Sequence, residues 1–177
     1  MKTRIGLTII LLLLSSNAFA EINSPPDLER YCQGSPGKLS RWINGNIWYR
    51  SDKDKWGVSD YWQTPEETLS RNNKYGQRSG DCEDYAVLAY RVLSGMGYDP
   101  HLFTIIFSVN GKILSHATTA FEWNGTYYYM GVEHLTNSGE KNLDNLFKYF
   151  NGHRVVHKRE ISTKELRERL HSPIQGE

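Results

Sequence analysis

The sequence has no apolar run long enough to cross a bilayer. Its longest, Ile5 to Leu14, covers ten residues, against the ~20 that a membrane-spanning helix needs. A mean hydropathy of −0.59 likewise excludes an integral membrane protein. Basic runs are also missing. None is longer than Lys158-Arg159, so nothing in the chain makes an electrostatic claim on nucleic acid. Glycine (15) and proline (6) are too few for a collagen-like or low-complexity chain. There are no internal repeats and no linker composition. Cysteine is scarce, with Cys32 and Cys82 the two present. What remains is 177 residues that are 12% aromatic, with five Trp and eleven Tyr. That is enough for one domain with a real core and too aromatic for disorder.

The N-terminus reads as an export signal. Lys2 and Arg4 precede the apolar run, and Ala18-Phe19-Ala20 is a small-x-small cleavage pattern. A short membrane anchor is the alternative. The residue directly after Ala20 is Glu21, not a cysteine that could carry a lipid. Cleavage there leaves a domain over residues 21–177 and takes away two bases and no acid, turning the formal charge from +1 to −1. Outside the cytoplasm, the default state of two cysteines is a disulfide.

Element signals change along the chain. Asp27 to Cys32 reads as a short helix, and Leu39, Trp42, Ile43 and Ile47 recur at helical spacing. Ser51 to Asp60, where Lys and Asp alternate, reads as a loop. Thr64-Pro65-Glu66-Glu67 is a capping box with proline in the first turn. Asp81 is placed to cap a helix from Cys82 that Gly95 and Gly97 end. Beyond Pro100 the period becomes that of strands. Leu102–Val109, Lys112–Trp123 and Thr126–Val132 are joined by Asn110-Gly111 and Asn124-Gly125, which predicts an antiparallel meander. The alternation of Tyr127 to Tyr129 predicts that one strand face is exposed. Leu143, Leu146, Phe147 and Phe150 suggest a weaker helix, Arg154 to His157 a last strand, and Ser162 to Leu170 a terminal helix with a Ser-x-x-Glu box. The fold class expected is α+β.

Gly80-Asp81-Cys82-Glu83-Asp84-Tyr85 puts a thiol in the first turn of a helix, where the dipole and free N–H groups favour thiolate. A cysteine nucleophile needs a base from elsewhere in the chain. Of the six histidines, His116 is the best placed, in the middle strand of the meander, and Glu133 at the end of the next strand is placed to orient it. Asp81, Glu83 and Asp84 have two readings. They compensate the helix dipole, or they ligate calcium. Acids so close to the thiol oppose its ionisation unless a cation offsets them.

These blocks carry a resemblance. Asp60-Tyr61-Trp62-Gln63-Thr64-Pro65-x-Glu67 followed by Gly80-Asp81-Cys82-Glu83-Asp84-Tyr85-Ala86, with Ile43-Asn44 and Asp54-x-Trp56-Gly57 upstream, resembles the bacterial transglutaminase-like cysteine protease family. That family includes periplasmic proteases that release biofilm adhesins. The resemblance runs from about Trp42 to about Leu135. It implies a papain-like/transglutaminase-like fold in which the helix bearing the nucleophile packs on an antiparallel sheet. It implies Cys82 as nucleophile, His116 as base and calcium held by Asp81 and Glu83. Its third residue is an Asp in a Leu-Asp-Asn-Leu stretch, for which this chain has Val132-Glu133-His134-Leu135. The literal Leu143-Asp144-Asn145-Leu146 lies further on and makes Asp144 the fallback. Where the family runs apolar after the His, this chain has Ala117-Thr118-Thr119. The function implied is periplasmic hydrolysis of a peptide bond in a protein substrate, with an inner-membrane receptor as the expected regulatory partner. Gln63 is a candidate oxyanion donor. Amine transfer by the same thioester, or a degenerate module that binds a peptide or receptor, are the alternatives. A Cys32–Cys82 disulfide would abolish the nucleophile.

Overall fold

A computed structural model describes residues 21–171. The export segment read at residues 1–20 lies outside the described residues, as do residues 172–177. Among those described, no helix is long and apolar enough to cross a membrane.

Serine caps and prolines open the first helices. Ser24 accepts from the Asp27 N–H at the start of α1 (Pro25–Cys32), and Ser35 from the Lys38 N–H at the start of α2 (Pro36–Asn46). Proline has no N–H to leave orphaned in a first turn, and each cap contributes about 1 kcal/mol. A two-residue strand β1 (Trp48–Tyr49) leads into α3 (Asp52–Trp56). This helix replaces the loop expected over Ser51–Asp60. Ser51 caps it, and Gly57 ends it in the left-handed region at φ 80°. It buries Asp52 and Lys55 one turn apart, and an inward face made of charged residues cannot be seen by hydrophobic periodicity. The Thr64 capping box forms as expected at α4 (Pro65–Leu69). Thr64 Oγ1 accepts from the Glu67 N–H at 3.2 Å, and the Glu67 carboxylate accepts from the Thr64 N–H at 2.7 Å. β2 (Ser79–Gly80) pairs in parallel with β1 and runs directly into α5 (Cys82–Gly95).

The meander forms as β3 (Pro100–Val109), β4 (Lys112–Trp123) and β5 (Thr126–Met130). Both Asn-Gly pairs have positive φ at both residues, 51° and 78°, then 54° and 76°. This is the two-residue turn whose twist matches the strands. Three further strands, β6 (Thr136–Asn137), β7 (Tyr149–Phe150) and β8 (His153–Glu160), complete an antiparallel sheet of order β6-β5-β4-β3-β8-β7. β8 is longer than the Arg154–His157 expected. The last helix, α6 (Thr163–Leu170), is capped by Ser162. Its Glu165 carboxylate binds Arg159 and Arg169.

One sheet face carries the helices. Leu88, Ala89, Val92 and Leu93 of α5 pack with α1, α2 and α4 against Phe121 and Met130. Ala86 and Val87 meet Leu102 and Ala117, with Leu166 of α6. On the other face Phe103, Ile105, Phe107, Ala120 and Tyr129 meet Leu146, Phe147 and Phe150. The helix expected over Leu143–Phe150 is absent. A single 3-10 turn (Leu143–Asn145) is followed by Phe147 at φ 62° and then β7. The apolar residues are still buried, but Lys158 Nζ takes the carbonyls of Leu143, Asp144 and Leu146 that a helix would have paired. The exposed tyrosine face expected on β5 is also absent. Tyr128 packs on Phe121 and Trp123, and Tyr129 on Phe147 and Phe150. The expected α+β class, with the Cys82 helix on an antiparallel sheet, is what forms.

Candidate active site

Cys82 opens α5, and His116 lies on β4 opposite Ile105 of β3. Both line one cleft of about 500 Å³ with Trp62, Glu83, Thr104 and Arg169. The backbone N–H of Ala117, the residue after His116, reaches the Cys82 sulfur. The β4–β5 ladder begins only at Thr119–Met130, so the edge of β4 beside Ala117 is free to face the start of the helix. Glu133 follows β5, and its Oε2 lies 2.9 Å from His116 Nε2. A carboxylate can only accept, so Nε2 carries a proton in this pair and Nδ1 is the ring nitrogen that Glu133 does not engage. The imidazole packs on Phe150 at 5.0 Å between ring centroids. Asp144, the fallback, is exposed on the 3-10 turn, where its carbonyl accepts from Lys158. Glu133 is therefore the acid that meets His116.

Gln63 is not available as an oxyanion donor. It is fully buried, its backbone and side-chain N–H groups go to the Asp84 carboxylate, and its Oε1 accepts from Lys55. Asp84 also accepts from the Asp81 N–H at 3.1 Å, so it organises the start of α5. Gly80 makes the room for this. A Cβ there would stand 2.6 Å from the Asp84 Cβ. Trp62 is buried yet borders the cleft, so packing and lining are the same role. Tyr61 is tied to Glu67 through its hydroxyl.

The acids around the thiol do not stand alone. Asp52 reaches both sets that the fold brings together, with Asp60 and Glu83 on one side and Asp81 and Asp84 on the other. Burial pushes Asp52 up to about 7 and Asp81 up to about 8, with neighbouring carboxylates adding to both shifts. Burial also raises Glu83 and lifts Asp84 well above the ordinary carboxylate range. The Cys82 thiol, 3.0 Å from Glu83 Oε2, is raised first by burial and then by the Glu83 charge. Asp52 Oδ1 and Asp81 Oδ1 are buried with no hydrogen-bond partner. Buried carboxylate oxygens left unpaired are costly. Hard oxygen donors with no donor facing them fit a hard cation. Sequence reasoning found Asp81 and Glu83 and missed Asp52 and Asp60. The signal near them was Asp54-x-Trp56-Gly57, which sits on the same short helix. It also missed His157, which lines the cleft from β8.

Cys32 is fully buried in the helical core and, like Cys82, is a free thiol. The disulfide alternative is therefore overturned. Burial pushes the Cys32 thiol up to about 11, which keeps it unreactive near neutral pH. Titration in denaturant without reductant should count two thiols per chain. The one that reacts in the native protein should vanish in Cys82→Ser. A count of zero in denaturant would show a disulfide instead.

No curated protein matches the chain in sequence. Among solved structures, calcium-bound LapG of Legionella pneumophila matches with a TM-score of 0.52 and 16% identity, over 76% of this chain and 71% of that one. A second LapG structure from the same organism matches with a TM-score of 0.48 and 15% identity, over 77% and 83%. At such identities the likeness is one of fold. The family model described as a transglutaminase-like domain matches residues 30–137, more than half of the chain, from the end of α1 through the start of α5, His116 and Glu133 to β6. A helix starting at a cysteine and packed on an antiparallel sheet is what that match leads one to expect, and the chain belongs to the transglutaminase-like domain family.

Proposed function

We propose that this protein is a periplasmic cysteine protease that hydrolyses a peptide bond in a protein substrate, of the kind that frees an adhesin from a cell surface. The observation that carries the reading is the Glu133–His116 pair on the strand whose Ala117 N–H reaches the Cys82 sulfur. His116 Nδ1 takes the thiol proton, and the sulfur attacks the substrate carbonyl carbon. The His116 proton then passes to the leaving amine, which departs and leaves a thioester. Water adds to the thioester by the same route and returns the thiol. Backbone N–H groups at the start of α5 supply the oxyanion donors. Export through residues 1–20 places the reaction outside the cytoplasm.

Asp81 and Glu83, with Asp52 and Asp60, would hold calcium. The two unpaired buried carboxylate oxygens and the calcium-bound structural relative support this. Bound there, the ion supplies positive charge that favours thiolate and relieves the repulsion among these carboxylates.

The test compares new N-termini in a surface-protein fraction treated with the wild-type chain or with Cys82→Ser, with and without a fluorescent primary amine. Hydrolysis produces new N-termini that depend on Cys82. Amine incorporated at glutamine without new N-termini would assign a transferase. Neither product would assign a binding module and overturn the proposal.

A further inference from the structure

The carboxylate that holds His116 is itself held. His116 and Thr118 are two residues apart on β4, so their side chains leave the same face of the sheet. Glu133 bridges them. Its Oε2 meets His116 Nε2 at 2.9 Å, and its Oε1 accepts from the Thr118 hydroxyl. Thr118 is fully buried. The Met130 carbonyl lies 3.2 Å from the same hydroxyl. A hydroxyl has one hydrogen, and the nearer, charged acceptor takes it. Gly131 lies beside the pair. A Cβ there would be in ordinary contact, at 3.4 and 3.5 Å, with the two Glu133 carboxylate oxygens.

A glutamate has one more rotatable bond than an aspartate, and so one more way to miss the imidazole. In this fold both its oxygens are committed, one to the ring and one to a side chain on the same strand face. We infer that Thr118 is a positioning residue. Its hydroxyl fixes the Glu133 carboxylate so that His116 keeps its Nε2–H on that carboxylate, as the Nε2–H tautomer that leaves Nδ1 for proton transfer in the cleft that Cys82 also lines. The role in turnover rests on the reading of Cys82 and His116 as the reacting pair. The role in orienting the ring does not. The polar Thr118, which breaks the apolar run expected after the histidine, is then the counterpart of the longer acid.

The two roles are tested separately. Imidazole 15N spectra of His116, recorded in the Cys82→Ala background, should show the Nε2–H tautomer in the parent and in Thr118→Ser. Thr118→Val, which keeps the branched shape and removes the hydroxyl, should give a mixture of tautomers. With a peptide spanning a cleavage site found from the new N-termini, Thr118→Val should lower kcat about 10- to 100-fold, as expected for a reacting group misplaced by a fraction of an ångström. KM should be unchanged, and Thr118→Ser should restore kcat. In a Glu133→Gln background the valine should add nothing. A His116 tautomer and a kcat both unmoved in Thr118→Val, with only the melting temperature lowered, would overturn the positioning role. A tautomer shift in a chain that cleaves nothing would uphold the positioning role while overturning the protease reading.

Discussion

Replacing Cys82 with alanine is expected to remove peptide cleavage while leaving the fold in place. In the proposed reaction the thiol supplies the electron pair that forms the thioester, and neither His116 nor Glu133 could stand in for it. Loss of a covalent nucleophile costs roughly 10⁴-fold or more in kcat. The cost to stability is small. Cys82 is only partly buried. Its thiol donates to Glu83 Oε2 at 3.0 Å, and the Ala117 N–H reaches its sulfur. A truncation of that size is worth about 1 kcal/mol or less, or about 2–4 °C in Tm for a chain of this length. The contrast with Cys32 makes the control. Cys32→Ala empties a site inside the helical core and should lower Tm while leaving turnover intact. Turnover retained in Cys82→Ala, or lost in Cys32→Ala with Tm unchanged, would show that the nucleophile has been placed wrongly.

Calcium is expected to raise the Tm, and by more at pH 8 than at pH 5. Asp52 and Asp81 have their pKa values pushed up to about 7 and about 8, mainly by burial. In the unfolded chain both sit near the ordinary ~3.9. The folded metal-free chain therefore binds protons that the unfolded chain releases above about pH 4, so its stability falls as pH rises through 7 and 8. A cation facing Asp52 Oδ1 and Asp81 Oδ1, the two unpaired buried carboxylate oxygens, removes that loss. At about 100 times its Kd it adds about 2.7 kcal/mol, a Tm rise of about 5–10 °C. Asp52→Asn gives the decisive sign. It deletes a charge shared by both acid sets, so it should raise the metal-free Tm at pH 8 and shrink the calcium-induced rise. Thermal melts in chelator and in calcium at both pH values read all of this. A Tm indifferent to calcium at both values would remove the ion from the site.

Much of the scaffold was legible because its signals are local. The Thr64 box, the Asp81-Cys82 start of α5 and the two Asn-Gly turns each depend on residues within a few positions of one another. Capping and turn geometry are decided at that range. Where the reading failed, a distant group had taken over a local preference. Lys158, on β8, claims the carbonyls that the expected helix at Leu143–Phe150 would have used. Asp52 and Lys55 look like a solvated loop until β2 and Gln63 are brought beside them.

The site divides along the same line. By itself the sequence determined the thiol at the start of a helix, the strand histidine and the acids flanking the thiol, since each follows from neighbours in the chain. Only the tertiary structure decided that Glu133 rather than Asp144 meets His116, that Thr118 holds Glu133, and that Asp52 gathers Asp60 and Glu83 on one side and Asp81 and Asp84 on the other. Those partners lie from 15 to 29 residues apart where the hydrogen bonds record the separation. They meet because the β4–β5 ladder and the burial of α3 set their positions, and a hydrogen bond depends on position in space rather than on order along the chain.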